Sequence, residues 1–198
     1  MSKSKYQIDP VFTPELIKIL KIFGFISISL VLILSLFNTK RANNTGKDLQ
    51  FRMAASSRIY FLNIRSIHYD REIRSDARMT LFRHSKREKS DSLPLLDLVL
   101  ILNPQADEAY LYLEPLRIDW PVELRVTNKS DVQFYSFANG NKSELLDYAK
   151  TLKPLIAENT KIELKVNEKW IEIWKDPKAK DALLTTIEDY HILTETDD

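Results

Sequence analysis

The sequence predicts an α+β protein: an N-terminal single transmembrane helix followed by one domain of antiparallel sheet with packed helices, ending in an αββα segment. Residues 22–37 form an uncharged run in a chain in which 29% of the residues are charged. Strand-like alternation then comes first and helix-period segments follow, with short connections. We therefore predict a tail over 1–13, a transmembrane helix over 14–38, a linker over 39–48 and a soluble α+β domain over 49–198.

The first predicted helix begins at Thr13-Pro14, where Thr suits the N-cap and Pro the first helical position. The uncharged run is shorter than the roughly 20 residues that span a bilayer, but the stems of Lys18 and Lys21 can reach the headgroups. A buried core helix normally keeps a polar stripe, and a signal peptide normally ends at a small-residue cleavage site. Neither pattern is present, so an uncleaved membrane anchor is favoured.

The side of the membrane is less well defined by the sequence. Four lysines precede the uncharged run, at positions 3, 5, 18 and 21, and a similar number of basic residues follows it closely. Long domains are translocated largely regardless of their charge, whereas four lysines are unfavourable to move. We expect a bacterial inner-membrane protein with an extracytoplasmic C-terminal domain. The chain has no cysteine, which excludes disulfides, thiolate metal sites and a cysteine nucleophile.

The domain begins after a small, polar stretch at 42–48. Strand-like alternation is found in five segments: 78–83, 95–102, 108–113, 122–126 and 132–137. The second and third are joined by the turn-rich residues 103–107, which predicts a hairpin. Residues 95–102 are apolar on both alternating faces, as in a strand that is buried on both sides.

The C-terminal part predicts helix, hairpin and helix. In residues 144–158, Leu145, Leu146, Ala149, Leu152 and Ile156 recur at helical spacing. Residues 161–166 and 169–174 form the predicted hairpin, and Asp176-Pro177 begins a last helix with Ala182, Leu183, Ile187 and Tyr190 on its apolar face.

Residues 58–70 fit two descriptions. Ile59 and Phe61 alternate as in a strand, whereas Ile64 and Ile67 continue at helical spacing. Tertiary packing is expected to decide between them.

The sequence contains no motif that indicates catalysis or cofactor binding. The chain has three glycines, too few and too scattered for a phosphate loop, a dinucleotide-binding turn or a nucleophile elbow. Glu188 and His191 have the spacing of two metal ligands on a helix, and His68, Asp70 and Arg65 could form an acid–base group. A solvated polar face explains both patterns better. We predict no catalytic residue, no metal ligand, no cofactor and no small-molecule ligand.

Charge is unevenly distributed along the chain. Residues 52–89 contain ten basic and four acidic residues, whereas residues 181–198 contain six acidic residues and no lysine or arginine. The candidate site residues are five arginines of this basic block: Arg71, Arg74, Arg78, Arg83 and Arg87. They form a surface for anionic lipid or another polyanion, or else they pair with the acidic C-terminal helix and tail or face water. The second alternative is favoured. A near-neutral total charge argues against nucleic acid.

The expected function is that of a protein-interaction or scaffolding module in a bacterial envelope complex, with another envelope protein as its partner. Trp120, Trp170 and Trp174 are candidate interface aromatics, although such side chains more often complete a core. Two alternatives remain open: an anionic-lipid or polyanion-binding module that uses residues 52–89, and an enzyme whose site has no sequence motif.

Overall fold

The computed structural model describes residues 13–36, 49–128, 131–158 and 160–196. The chain divides into two compact units, residues 1–43 and 44–198. The predicted linker, 39–48, lies outside the described residues.

The first unit contains helix α1, Pro14–Leu36. The hydroxyl of Thr13 accepts a hydrogen bond from the backbone N–H of Leu16 at 3.3 Å, as predicted for its N-cap. The large apolar side chains of α1 are exposed: Phe23 is 70% exposed and Phe25 is 74% exposed. No helix within the described ranges is long and apolar enough to cross a membrane. The transmembrane assignment of 14–38 is therefore unsupported by the structure and stays a prediction.

The second unit contains two four-stranded antiparallel sheets, where the sequence had suggested one. Sheet A has the order β1-β2-β3-β4, with strands Tyr69–Arg74, Met79–His84, Leu95–Asn103 and Glu108–Leu116. Sheet B consists of β5 (Val122–Asn128), β6 (Asp131–Phe137), β7 (Lys161–Val166) and β8 (Lys169–Ile173), in the spatial order β6-β5-β7-β8. Alternation identifies a strand and its faces but not its partner, so the division into two sheets was not visible in the sequence.

The predicted αββα end is present. Along the chain, helix α3, Lys142–Ala157, precedes the β7–β8 hairpin and helix α4, Pro177–Thr194, follows it. Asn141 caps α3 by accepting hydrogen bonds from the N–H groups of Ser143 and Glu144, and Asp176 caps α4 through the N–H of Lys178. The apolar faces predicted for both helices are buried. They supply much of the core between helices and sheets.

The segment 58–70 is mostly helical. Helix α2, Ala55–Tyr60, continues as a π-helical turn, Phe61–Arg65, and a 3₁₀ turn, Ser66–His68. Strand β1 then starts at Tyr69, and the sequence had not predicted it as a separate strand. Phe61 is fully buried and its ring lies 5.6 Å from that of Tyr69 and 5.1 Å from that of Phe82. Burial of Phe61 against sheet A is the tertiary contact that selects the helix.

The core joins both sheets around Trp174, which is 2% exposed. Its indole N–H donates to the carbonyl oxygen of Leu96 at 2.7 Å, and its backbone N–H donates to the Glu88 carboxylate at 2.7 Å. Trp174 is thus a core residue and not the interface aromatic that the sequence allowed.

Candidate interaction surfaces

Arg83 is the most strongly bound of the five predicted site arginines. On the outer face of sheet A, its guanidinium donates twice to Glu114 on β4 and once to Glu72 on β1, each at 2.7 Å. The hydrogen bonds to Glu114 are the main cause that raises the pKa of Arg83. A paired, half-buried guanidinium of this kind holds three strands together and is not available to a ligand.

Arg87 belongs to a second ion-pair group on the same sheet. It contacts Asp70, which also accepts from Lys89, and its Nε lies 3.4 Å from Oδ2 of Asp97. Asp97 is only 5% exposed, and its Oδ2 has no hydrogen-bond partner. Burial is the main cause that raises the pKa of Asp97 to about 7. One neutralising contact at this distance leaves an ionised carboxylate poorly compensated.

The remaining three arginines differ from one another. Arg74 pairs with Asp76 and Glu72 at the exposed end of β1. Arg71, on β1, and Arg78, in the β1–β2 turn, form no ion pair within the described part of the chain. The structure therefore divides the predicted set into paired residues (Arg74, Arg83 and Arg87) and unpaired residues (Arg71 and Arg78).

The acidic C-terminal segment makes one buried contact with the basic block. Asp189 on α4 is fully buried; one carboxylate oxygen accepts from Nε of Arg65 at 2.7 Å and the other from the hydroxyl of Tyr69 at 2.6 Å. Most described partners of the arginines lie elsewhere, on β1, β3 and β4. The sequence could not show this, because distant acids are indistinguishable until the sheet register is known.

The acid–base group considered around His68 is not assembled. Arg65 binds Asp189 and Asp70 binds Arg87 and Lys89, so neither orients His68, which is exposed. Nδ1 of His191 lies 3.1 Å from the hydroxyl of Thr196. Among the described residues no group of three or more His, Asp or Glu side chains has the geometry of a metal site.

A cleft of about 530 Å³ lies beside the start of α2, between Arg52, Arg58, Asp107 and Glu195. Arg58 and Asp107 close one side with an ion pair at 2.7 Å, and Glu195 accepts a hydrogen bond from Ser57. Its two carboxylates, Asp107 and Glu195, are held by Arg58 and Ser57, and its lining residues contain no nucleophile with an adjacent base. The cleft offers charge but no acid–base arrangement.

Two exposed apolar surfaces are more distinctive. The first, the isoleucine surface, consists of Ile59, Tyr60, Ile64, Ile67 and Ile73, which are 47–74% exposed. The second, the β6 surface, consists of Val132, Phe134 and the half-buried Trp170 on the outer face of sheet B. The sequence analysis had left residues 58–70 open between strand and helix and had assigned 132–137 to a strand. It could not show which apolar side chains are exposed, because apolar periodicity does not distinguish a face that meets the core from one that meets a partner.

Comparison of the chain with models of known protein families, with curated proteins and with solved structures finds no match.

Proposed function

We propose that this protein is a membrane-anchored protein-interaction module whose domain binds an extended segment of a partner along strand β6. One observation supports this above all: β6 is a sheet edge whose central residues lack the features that normally keep edges from pairing. It lies at one end of the strand order β6-β5-β7-β8, and β5 is its partner among the described strands. No strand of the described residues pairs with its other side, where a further strand could add.

The other edges of the two sheets are protected. Four of the six residues of β1 are charged. Strand β4 contains Pro115 and packs against α3, while β8 has only five residues, including Lys169 and Glu172. Strand β6 is seven residues long, reads DVQFYSF, and has one charged residue, at its start. Charges, proline, covering elements and short length are the usual protections of an edge. Strand β6 has no proline, its one charge is at its first residue, and its ring contact with α3 is at its last residue, where the ring of Phe137 lies 4.6 Å from that of Tyr148.

Side chains next to this edge offer specific contacts. Phe134 is 66% exposed, and its ring lies 5.8 Å from that of Trp170. The guanidinium of Arg125 lies 4.8 Å from the Trp170 ring, and Arg125 is itself held by Glu163 at 2.8 Å. Together with Lys165, these aromatics border a groove of about 340 Å³. An added strand gains its affinity from backbone hydrogen bonds, and such a groove would select its side chains.

The anchor in this proposal is the segment 14–38, whose uncharged run is the supporting feature. We place the protein in a bacterial inner membrane, with residues 49–198 outside the cytoplasm and another envelope protein as partner. An enzyme is less well supported, since the described residues present no cleft with convergent acid–base groups.

Site-specific photo-crosslinking in the native host tests the β6 proposal. A photoreactive amino acid at Val132 is expected to give a discrete adduct. The same group at Leu93, which is 52% exposed in the loop before β3, is expected to give none. The cross-linked segment of the partner, identified by mass spectrometry, should then bind the purified full-length chain as a synthetic peptide.

Phe134→Asp should weaken the binding of that peptide at least tenfold without changing the melting temperature, and Leu93→Asp is the matched control. Equal adducts at both positions, or a peptide whose affinity Phe134→Asp leaves unchanged, would reject β6 as the binding site.

A further inference from the structure

The isoleucine surface has an unusual origin in the fold. In the helical segment 55–68, Phe61 points into the core and Arg65 binds the buried Asp189, so these residues define the inner side. Ile59, Ile64 and Ile67 are 57%, 52% and 74% exposed and occupy the outer side. The segment thus presents apolar side chains to its surroundings, contrary to an ordinary surface helix.

Strand β1 extends this surface. Tyr69, Arg71 and Ile73 alternate on one face of β1, the face on which Tyr69 meets Phe61. Ile73 is 65% exposed, so no described helix covers this face beyond Tyr69. Exposed isoleucines are therefore contributed both by the helical segment and by the strand that directly follows it.

Cationic side chains accompany the apolar ones. Arg71 lies between Tyr69 and Ile73 on β1, and Arg78 lies in the turn that follows the strand. These are the two predicted site arginines without an ion pair among the described residues, whereas Arg74, on the opposite face of β1, is paired. Exposed apolar groups combined with uncompensated arginines match the interface of an anionic bilayer, where apolar groups enter the headgroup boundary and cations meet lipid phosphates.

We propose that the isoleucine surface rests on an anionic lipid bilayer, with Ile59, Ile64, Ile67 and Ile73 inserted at the headgroup level and Arg71 and Arg78 bound to lipid phosphates. This inference extends the membrane attachment proposed above and is independent of β6. The sequence hypothesis assigned lipid binding to the whole basic block, residues 52–89, whereas this inference assigns it to Arg71 and Arg78. It also adds the apolar contact of the isoleucines, which the charge pattern did not reveal.

The absence of cysteine allows a direct test on the full-length chain. An environment-sensitive fluorophore is attached to Ile67→Cys, and for comparison to Ser136→Cys, an exposed residue of β6. Each labelled chain is reconstituted into vesicles of neutral phosphatidylcholine or of the same lipid mixed with phosphatidylglycerol. Flotation measures attachment, and quenching by spin-labelled lipid measures the depth of the label.

The Ile67 label is expected to be quenched in the anionic vesicles and to remain in water in the neutral ones, while the Ser136 label remains in water in both. Each arginine near such a surface contributes on the order of 1 kcal/mol, which is about a fivefold change. The double variant Arg71→Gln, Arg78→Gln should thus lower the ratio of docked to undocked domain roughly 25-fold, and added salt should lower it further. Lys150→Gln with Lys175→Gln removes the same charge from exposed positions elsewhere and should change the ratio little.

Each contrary result has a separate meaning. Chains that float with the vesicles while the Ile67 label stays in water leave the membrane attachment intact but overturn this inference. Failure to float with either kind of vesicle overturns both. Equal quenching in neutral and anionic vesicles removes the arginines from the proposal and overturns it, and a label whose protection depends on protein density and not on lipid assigns the surface to a second copy of the chain.

Discussion

Asp189 is expected to be the most sensitive polar position of the domain. Its carboxylate is fully buried and accepts two hydrogen bonds, from Arg65 and from Tyr69. Each hydrogen bond to a charged group contributes roughly 1.5–3 kcal/mol, so losing both would cost about 3–6 kcal/mol. Asp189→Asn preserves the volume of the side chain and one acceptor oxygen, so about half of this stabilising free energy should be lost.

The expected loss lies toward the lower end of the range. The Arg65 side chain is 27% exposed, so water can solvate part of its guanidinium once the carboxylate is gone. We therefore expect Asp189→Asn to lower the free energy of unfolding by about 2 kcal/mol, which for a domain of this size corresponds to a melting temperature lower by roughly 4–8 °C. Glu188→Gln, on the exposed side of the same helix, should change it by less than about 0.5 kcal/mol.

Urea unfolding of the full-length chain in mild detergent measures the effect. The three tryptophans, Trp120, Trp170 and Trp174, all lie in the second unit, so their fluorescence follows unfolding of that unit alone. A variant at Asp189 as stable as the one at Glu188 would show that the buried carboxylate contributes no net stability, and the account of the contact between α4, Arg65 and Tyr69 would be wrong.

Three further predictions use the same assay. Because the pKa of Asp97 is raised to about 7 from about 3.9 in an unfolded chain, the folded state binds more protons between these values, and stability is lost as the pH rises through this window. Asp97→Asn lacks this loss, so its stability relative to the unsubstituted chain should increase from about pH 5 to about pH 8; a constant difference would contradict the raised pKa. Trp174→Phe removes the hydrogen bond to Leu96 and should cost about 2–3 kcal/mol, against less than about 1 kcal/mol for Trp170→Phe, and equal losses would refute its role in the core. Arg83→Gln, which breaks contacts with Glu72 and Glu114, should cost about 1–2 kcal/mol and Arg71→Gln less than about 0.5 kcal/mol; the reverse order would show that the unpaired arginine is the structural one.

Local signals in the sequence located most of the helices and strands. Thr13-Pro14 and Asp176-Pro177 mark helix starts because capping and the fixed backbone of proline act within a few residues. The apolar faces of α3 and α4 were readable because helical periodicity lies in one stretch of sequence. The turn-rich residues 103–107 likewise predicted that β3 and β4 are two strands of a hairpin.

Features that depend on distant partners were decided only by the fold. Residues 58–70 carry both strand and helix signals, and burial of Phe61 against Tyr69 and Phe82 selects the helix up to His68. The same packing leaves Ile59, Ile64 and Ile67 exposed, although their hydrophobicity alone suggests burial. Sequence alternation likewise could not show that β6 is a sheet edge, because strand order is a property of pairing.

The arginines illustrate the same division between local and tertiary information. Composition by itself established an excess of positive charge over residues 52–89. Which arginines are neutralised depended on the sheet register, which places Glu72 and Glu114 beside Arg83, whereas no described acid pairs with Arg71. Charge is a property of each residue and can be counted along the chain, whereas compensation of charge is a property of distances of a few ångströms, which only the tertiary structure creates.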